Sequence, residues 1–424
     1  MTLERTTHKG LKIFVDSLST ENSRITARVG VGSLHETEKN AGLSHVLEHC
    51  VHIGTKLFKD EEVQLNFTGI NALEYNANTS YEDTSYFGIG PYVEPNIQRL
   101  GEMLFRATLP KKALKNELKL INQEARENRE KMNSIHETAS TYALFGKPFG
   151  RDIIGYADKL EFSRTEILEF YKKHYVSSNM AIIAVGNVRM EELIEHIDNY
   201  FDLSDLAAPV TEVKHPGSPK ATMSGLELRA VDNAEVRVAT PLDPAFVERF
   251  RDNKILFETV TQAMSNYCFK RFRGDTGLAY DAGVDFYDSN SPLAWSIGAN
   301  AEVAPSNTRK AGKMLLEALS RPGADYTDSS IASAIGNTKS WVLESMDSKD
   351  TRTGFYAQAL DQHTEPTDLK IIAQTAHSLT IEQVRNGIDE VVEYISKNPP
   401  ITHVTGPTKA VKHADRIFTT DRIA

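Results

Sequence analysis

Residues 42–55 read GLSHVLEHCVHIGT and contain two histidines, His45 and His49, with Glu48 directly before the second. Residues four apart lie on one face of an α-helix, so two imidazoles at this spacing can bind one metal ion. A carboxylate beside such an ion can act as base for a metal-bound water. In a chain with 13 histidines, chance alone produces the pattern in roughly 3 of 100 sequences. A helix with two surface histidines and no metal is the alternative.

A catalytic zinc site needs a third protein ligand and one open position. Further along the chain, ELKLINQEARENRE places Glu117 and Glu124 seven residues apart, on one stripe of a helix predicted from Lys111 to His136. An ordinary solvated helix face is the alternative interpretation. The basic residues that surround the two glutamates are Lys115, Lys119, Arg126 and Arg129.

Length, charge and cysteine content exclude other classes of protein. With 424 residues, 40% hydrophobic and 25% charged, the chain is too long for a single small binding module. The net charge of −10 and the lack of a basic motif argue against a nucleic-acid partner. Cys50 and Cys268 are the only cysteines, so a metal site would use histidine and carboxylate ligands.

The start of the chain, MTLERTTHKGLK, lacks the apolar stretch of a secretory signal. No later run approaches the roughly 18 apolar residues of a membrane span. We therefore expect a cytoplasmic protein without a membrane partner.

Strands and helices follow one another in a similar order in both halves of the chain. The first half has predicted strands from Leu11 and Ile25, a hairpin from Asn71 and a buried strand from Asn179. Residues 204–220 contain three prolines and are the predicted linker. The sequence predicts an α+β protein of two homologous halves, 1–203 and 221–424, each a mostly antiparallel sheet with helices packed on it.

Taken together, these motifs resemble the pitrilysin-type zinc metallopeptidases, or inverzincins, which include mitochondrial processing peptidase. In that family a zinc-binding glutamate lies some 75 residues beyond the second histidine, after another glutamate seven residues earlier, and Glu124 and Glu117 match both spacings. The resemblance extends to NANTSYEDTSYF from Asn76, to GRDIIGY and the SRTEILEFYKKHY that follows, and to FRGDTGLAY in the second half.

The resemblance implies a zinc endopeptidase that hydrolyses unfolded peptides by attack of a zinc-bound water. One zinc ion per chain would be held by His45, His49 and Glu124. Glu48 would accept the proton of the water, and Glu117 would accept a hydrogen bond from a ligand histidine.

The same resemblance implies residues that contact the substrate. Arg273 and Tyr280, seven residues apart, would donate to the carbonyl oxygen of the peptide as negative charge develops on it. An extended peptide would pair with an exposed strand edge. The residues of that strand are Asn76, Ala77, Asn78 and Thr79.

Relatives of this kind enclose a chamber with four α+β domains, whereas this chain supplies two. We therefore expect a homodimer in which each zinc site faces Arg273 and Tyr280 of the other chain, with a heterodimer with a related chain as the alternative. A non-proteolytic structural or assembly subunit of the same fold is the alternative function, and the intact HVLEH argues against it. We expect Cys50 to be a core thiol and His52 to have a peripheral role.

Overall fold

The structure is a computed structural model that describes residues 3–203, 207, 223–228, 231–287, 293–361, 363–414 and 416–418. Its contacts divide the chain into two compact units. Unit 1 comprises Met1–Glu127, Asp152–Val213 and Ser345–Asp368, and unit 2 comprises Asn128–Arg151, Lys214–Glu344 and Leu369–Ala424. Apart from residue 207, the predicted linker 204–220 lies outside the described residues, and the division at 1–203 and 221–424 stays a prediction.

Unit 1 is built on a sheet that has six strands among the residues described, in the order β1-β2-β6-β3-β5-β4. The strands are β1 Glu4–His8, β2 Leu11–Ser17, β3 Ser23–Val29, β4 Glu74–Thr79, β5 Thr84–Gly90 and β6 Met180–Gly186. Neighbours pair antiparallel except β2 and β6, which are parallel. Every residue of β6, MAIIAVG, is buried, as expected for a central strand covered on both faces.

Helices cover this sheet, and their apolar side chains form the core of unit 1 together with those of the strands. The helices are α1 Leu43–Cys50, α2 Glu61–Ile70, α3 Val93–Arg106, α4 Lys111–Asn128, α6 Arg164–His174 and α7 Met190–Tyr200. The antiparallel pair β4 and β5 confirms the predicted hairpin from Asn71. The predicted helix from Lys111 to His136 is wrong in its extent, because α4 ends at Asn128 and a new helix, α5 Met132–Phe145, begins after a three-residue turn.

Unit 2 repeats this plan with a sheet of six described strands in the order β12-β7-β11-β8-β10-β9. The strands are β7 Met223–Glu227, β8 Ala234–Pro241, β9 Ala282–Tyr287, β10 Ser296–Val303, β11 Ile401–Gly406 and β12 Arg416–Phe418. The later helices of the chain are α8 Pro244–Asp252, α9 Lys254–Phe269, α10 Thr308–Leu319, α11 Asp328–Asp347, α12 Lys349–Asp361, α13 Leu369–Ser378, α14 Ile381–Lys397 and α15 Thr408–Val411. The predicted α+β class with mostly antiparallel sheets is confirmed.

Each sheet also receives a helix from the other half of the sequence. Helix α5 packs on β8 and β11 of unit 2, where Nδ1 of His136 lies 2.9 Å from the Thr405 hydroxyl. Helix α12 packs on β3 and β6 of unit 1. Its Arg352 and Tyr356 both donate to the buried carboxylate of Asp16 on β2. The order of segments along the sequence therefore differs from their grouping in space.

Arg352→Met is expected to destabilise unit 1 by about 2–4 kcal/mol, because it leaves the carboxylate of Asp16 buried without its cation. The side chains of Arg352 and Asp16 are largely buried, with 12% and 3% of their surfaces exposed. Hydrogen exchange should accelerate in β2, β3 and β6 and stay unchanged in β8 and β10. Arg249→Met, which removes an exposed pair with Glu390 in unit 2, is the control and should cost less than about 1 kcal/mol. Equal effects of the two substitutions would contradict a buried anchor.

No described helix has both the length and the apolar character needed to cross a membrane.

Candidate functional site

Helix α1 has an apolar face and a face that carries the histidines. Val46, Leu47 and Cys50 are fully buried in the core of unit 1. At 100° per residue, the mean direction of His45 and His49 differs by about 125° around the helix from that of these three residues. Their imidazole rings lie edge to face, with centroids 4.7 Å apart. Burial of the apolar face thus fixes which way the two histidines point.

Helix α4 brings both predicted glutamates to these histidines. Nε2 of His45 lies 3.8 Å from one carboxylate oxygen of Glu124, and Nε2 of His49 lies 3.5 Å from the other. Two helical turns before Glu124, Oε1 of Glu117 lies 2.9 Å from Nδ1 of His49. Leu114, Ile121 and Ala125 of α4 are buried in the core of unit 1, and this burial fixes the direction of the glutamate stripe beside them.

The donor atoms of His45, His49 and Glu124 all lie within 4.8 Å of one another. Zinc bonds of about 2.0–2.2 Å place two ligands of a tetrahedral site about 3.3–3.6 Å apart. The distances from Nε2 of His45 to Oε1 of Glu124, 3.8 Å, and from Nε2 of His49 to Oε2 of Glu124, 3.5 Å, are close to this spacing. Two imidazole nitrogens and one carboxylate are also a ligand set that catalytic zinc uses, with the fourth position open. The residues present therefore fit a zinc ion.

The electrostatic surroundings of the two histidines differ. Burial, together with the neighbouring His49, lowers the pKa of His45 to about 3, so its ring is neutral and suited to bind a metal. Burial also lowers the pKa of His49, but the hydrogen bond with Glu117 and the nearby charges of Glu48 and Glu124 outweigh it and raise the pKa overall. The acidic neighbours thus favour positive charge at His49, whether a proton or a metal ion.

Glu48 lies on the same helix and is 8% exposed. Burial is the main cause that raises the pKa of its carboxyl, while the hydrogen bond from Thr79 and the charge of His49 act in the opposite direction. The Thr79 hydroxyl donates to Oε2 of Glu48 at 2.6 Å. This contact orients the carboxylate, and it gives Thr79 a position that the sequence alone did not indicate.

Strand β4, which contains Asn76 to Thr79, lies at one edge of its sheet among the strands that the structure describes. Asn76 and Asn78 are exposed, whereas Ala77 and Thr79 are half-buried. The amide N–H of Ala77 donates to Oδ1 of Asn76 at 2.8 Å. Because Thr79 also contacts Glu48, the end of this edge strand lies beside the carboxylate next to the histidines.

The two predicted substrate-contacting residues of the second half belong to unit 2. Arg273 lies in a π-helical turn, Lys270–Asp275, that continues α9. Its guanidinium carbon is 4.4 Å from the ring centre of Tyr280 and 5.4 Å from that of Phe269. Tyr280 is 79% exposed and so does not belong to the core of unit 2. The structure brings Arg273 and Tyr280 together as an exposed pair.

Cys50 and His52 lie apart from the three converging donor groups. Cys50 is fully buried, and burial raises the pKa of its thiol. The ring of His52 stacks on Tyr75, and its Nδ1 lies 3.4 Å from Nη2 of Arg99. Burial holds the pKa of His52 well below its usual range.

Comparison with known proteins identifies the family. Residues 12–155 match the family profile "Insulinase (Peptidase family M16)", and residues 161–336 match "Peptidase M16 inactive domain". A probable mitochondrial-processing peptidase subunit beta from Schizosaccharomyces pombe is 30% identical over 50% of this chain and 47% of its own length. The uncharacterized zinc protease YmxG from Bacillus subtilis is 23% identical over 90% of this chain and 93% of its own length.

Other relatives and solved structures agree with these matches. Cytochrome b-c1 complex subunit 1 from Mus musculus is 27% identical over 51% of this chain and 46% of its own length. A protease from Helicobacter pylori shares the fold, with a TM-score of 0.81, 18% identity and coverage of 96% of this chain and 100% of its own. The matched region spans about half the length of the mitochondrial relatives. With both profiles together matching nearly all of residues 12–336, the chain belongs to the M16 peptidase family.

Proposed function

We propose that this chain is a zinc-dependent endopeptidase that hydrolyses unfolded peptides or short polypeptides. The observation that carries the proposal is the convergence of His45, His49 and Glu124. Glu48 precedes His49 on the same helix, and the charges of His49 and Glu124 both act on the pKa of its carboxyl. Relatives named as zinc proteases support zinc as the metal. The match of the second half to the inactive domain of the family agrees with a metal site carried by the first half.

When bound, zinc supplies a Lewis acid that polarises a peptide carbonyl and lowers the pKa of a water molecule. Glu48 is the residue that accepts a proton and passes it to the leaving amine. Its burial supports this role, because a carboxyl with a raised pKa is a stronger base. Glu117 holds the ring of His49 through Nδ1, which leaves Nε2 directed toward Glu124.

In this proposal β4 binds the substrate through main-chain hydrogen bonds, which recognise an extended peptide with little dependence on its side chains. The amide of Asn76 would turn away from Ala77 to release that N–H for the peptide. Arg273 and Tyr280 would donate to the carbonyl oxygen as it gains negative charge. The exposure of Tyr280 and its contact with Arg273 support a role at a surface that meets a ligand.

We further propose that two copies of the chain enclose the substrate, so that the zinc residues of one copy act with Arg273 of the other. A mixture of Glu48→Gln and Arg273→Ala proteins, refolded or exchanged together, should then regain activity although each protein alone is inactive. Random assortment gives one intact site in half of the dimers, which predicts about a quarter of the native activity. No recovery, with mixed dimers shown by mass spectrometry, would place both groups in one chain. Light scattering that finds only active monomer would exclude the dimer.

Zinc analysis together with mass spectrometry of a random peptide pool tests the function. We expect one zinc ion per chain and internal cleavage of extended peptides, both lost after removal of the metal and regained after its return. Cleavage that is unaffected by a chelator while the bound zinc is gone would contradict the proposal.

The alternative is a non-proteolytic structural or assembly subunit of the same fold. The match to cytochrome b-c1 complex subunit 1 favours it. Absence of bound zinc and of any cleavage in the same experiment would support this alternative. A heterodimer with a related chain would be detected by isolating the native complex and identifying a second M16 chain in it.

A further inference from the structure

Helix α1 begins without a side-chain cap of its own. Its N-cap residue is Gly42, which has a φ of 88° and no side chain that could accept a hydrogen bond. The helix is eight residues long, and a helix of this length is not stable in isolation. Its position therefore depends on contacts made by its ends as well as by its apolar face.

The missing cap is supplied by Glu36, six residues before Gly42. Oε2 of Glu36 accepts a hydrogen bond from the N–H of Gly42 at 2.8 Å, and Oε1 accepts one from the N–H of Ser44 at 2.7 Å. Glu36 is 7% exposed. Charge-assisted hydrogen bonds with little access to water are stronger than neutral ones, so this carboxylate holds the first turn of α1 through two points.

A second segment fixes the same turn by backbone contact. A Cβ atom at Gly42 would lie 2.4 Å from the carbonyl oxygen of Ile154 and 3.0 Å from Cα of Gly155. Only glycine permits this approach at a left-handed φ. The start of α1 is thus enclosed between the Glu36 carboxylate and the loop at residues 154–155.

The histidine that depends most on this turn is His45, which lies in it. His49 is oriented by Glu117 at its Nδ1, but the buried Nδ1 of His45 has no hydrogen-bond partner in the described part of the chain. No hydrogen bond at Nδ1 orients this ring as Glu117 orients that of His49, so the position of Nε2 depends closely on the placement of α1. For an atom about 6 Å from the helix axis, a rotation of about 20°, one fifth of the step between residues, moves it by about 2 Å.

Charge acts in the same direction as geometry. The first turn of a helix carries partial positive charge from its free N–H groups, which disfavours a cation at a side chain of that turn. The carboxylate of Glu36 lies on those N–H groups and offsets this charge.

We propose that Glu36 is a positioning residue of the metal site, which sets His45 for zinc through the first turn of α1 without touching the metal. This inference rests on the proposed zinc function. If it is correct, Glu36, which lies outside HVLEH, raises the zinc affinity about 10- to 100-fold. Residues that hydrogen-bond to metal ligands typically have an effect of this size.

The test is the affinity of the metal-free protein for zinc, measured by competition with a chromophoric chelator. Glu36→Gln keeps the size of the side chain and removes its charge, and we expect it to weaken zinc binding about 10- to 100-fold. Glu38→Gln is the matched control, because Glu38 is an exposed carboxylate two residues away that accepts a hydrogen bond from Tyr156. It should bind zinc as the native protein does.

Hydrogen exchange in α1 separates positioning from general loss of structure. In Glu36→Gln, hydrogen exchange should accelerate in residues 42–46 and keep the rate of the native protein in β3 and β6. If Glu36→Gln does not fold, Glu36→Asp keeps the charge but shortens its reach, and is expected to bind zinc with intermediate affinity. Native zinc affinity in a folded Glu36 variant overturns the inference and leaves the zinc function standing. Failure of the native protein itself to bind zinc overturns the proposed function instead.

Discussion

Glu48→Gln is expected to reduce kcat/KM for peptide hydrolysis by about 10³-fold while the protein still binds one zinc ion per chain. The substitution keeps the shape of the side chain and its contact with Thr79, but an amide cannot accept the proton that the carboxylate takes up. Because Glu48 is not one of the three converging ligand groups, the metal should remain.

Steady-state cleavage of a quenched fluorescent peptide, together with zinc analysis of the same sample, checks this expectation. Glu191→Gln on α7 removes an exposed carboxylate far along the chain from the site and should leave both values unchanged. Undiminished hydrolysis in Glu48→Gln would exclude Glu48 as the base. Loss of zinc would mean that its carboxylate binds the metal.

Glu124→Gln is expected to have the largest effect on metal binding, with zinc affinity reduced more than about 100-fold and activity lost in proportion. Loss of an outer-shell partner alone lowers affinity about 10- to 100-fold, and Glu124 is the only carboxylate among the three groups that converge within 4.8 Å in the described residues. Its negative charge also compensates the charge of the ion in a site where His45 is neutral.

A graded series on one helix makes this expectation specific. Glu117→Gln should weaken zinc binding less than Glu124→Gln, because Glu117 acts through Nδ1 of His49. Glu127→Gln should have no effect, since that side chain is exposed and accepts a hydrogen bond from Gln123. Competition with a chelator gives all three affinities. An equal loss of zinc affinity in Glu117→Gln and Glu124→Gln would contradict the assignment of Glu124 as a ligand and Glu117 as a residue that only supports His49.

The parts of the site that the sequence predicted are those set by helical periodicity. A spacing of four places His45 and His49 on one face of α1, and a spacing of seven places Glu117 and Glu124 on one stripe of α4. Which stripe of α4 meets α1 depends on packing of the whole sheet, and only the family resemblance indicated it.

Other features arise from contacts between residues distant in sequence, which periodicity does not register. The bond from Thr79 to Glu48 joins a strand to a helix 31 residues away. The break between α4 and α5 follows from the packing of α5 on β8 and β11, strands encoded about a hundred residues or more further on. Composition near Asn128 gave no glycine or proline that would have marked the end of α4.

The helix that unit 1 receives from late in the sequence has a consequence for synthesis. Residues 345–368 emerge only after some 130 residues that follow the end of the preceding unit 1 segment at Val213. At 5–20 residues per second this interval lasts roughly 7–26 s. During this interval the nascent sheet of unit 1 lacks α12, and the carboxylate of Asp16 lacks its two donors from that helix. Unit 1 can therefore be completed only after the chain has been synthesised through residue 368, and a stop codon before residue 345 would release a chain that lacks the α12 segment of unit 1.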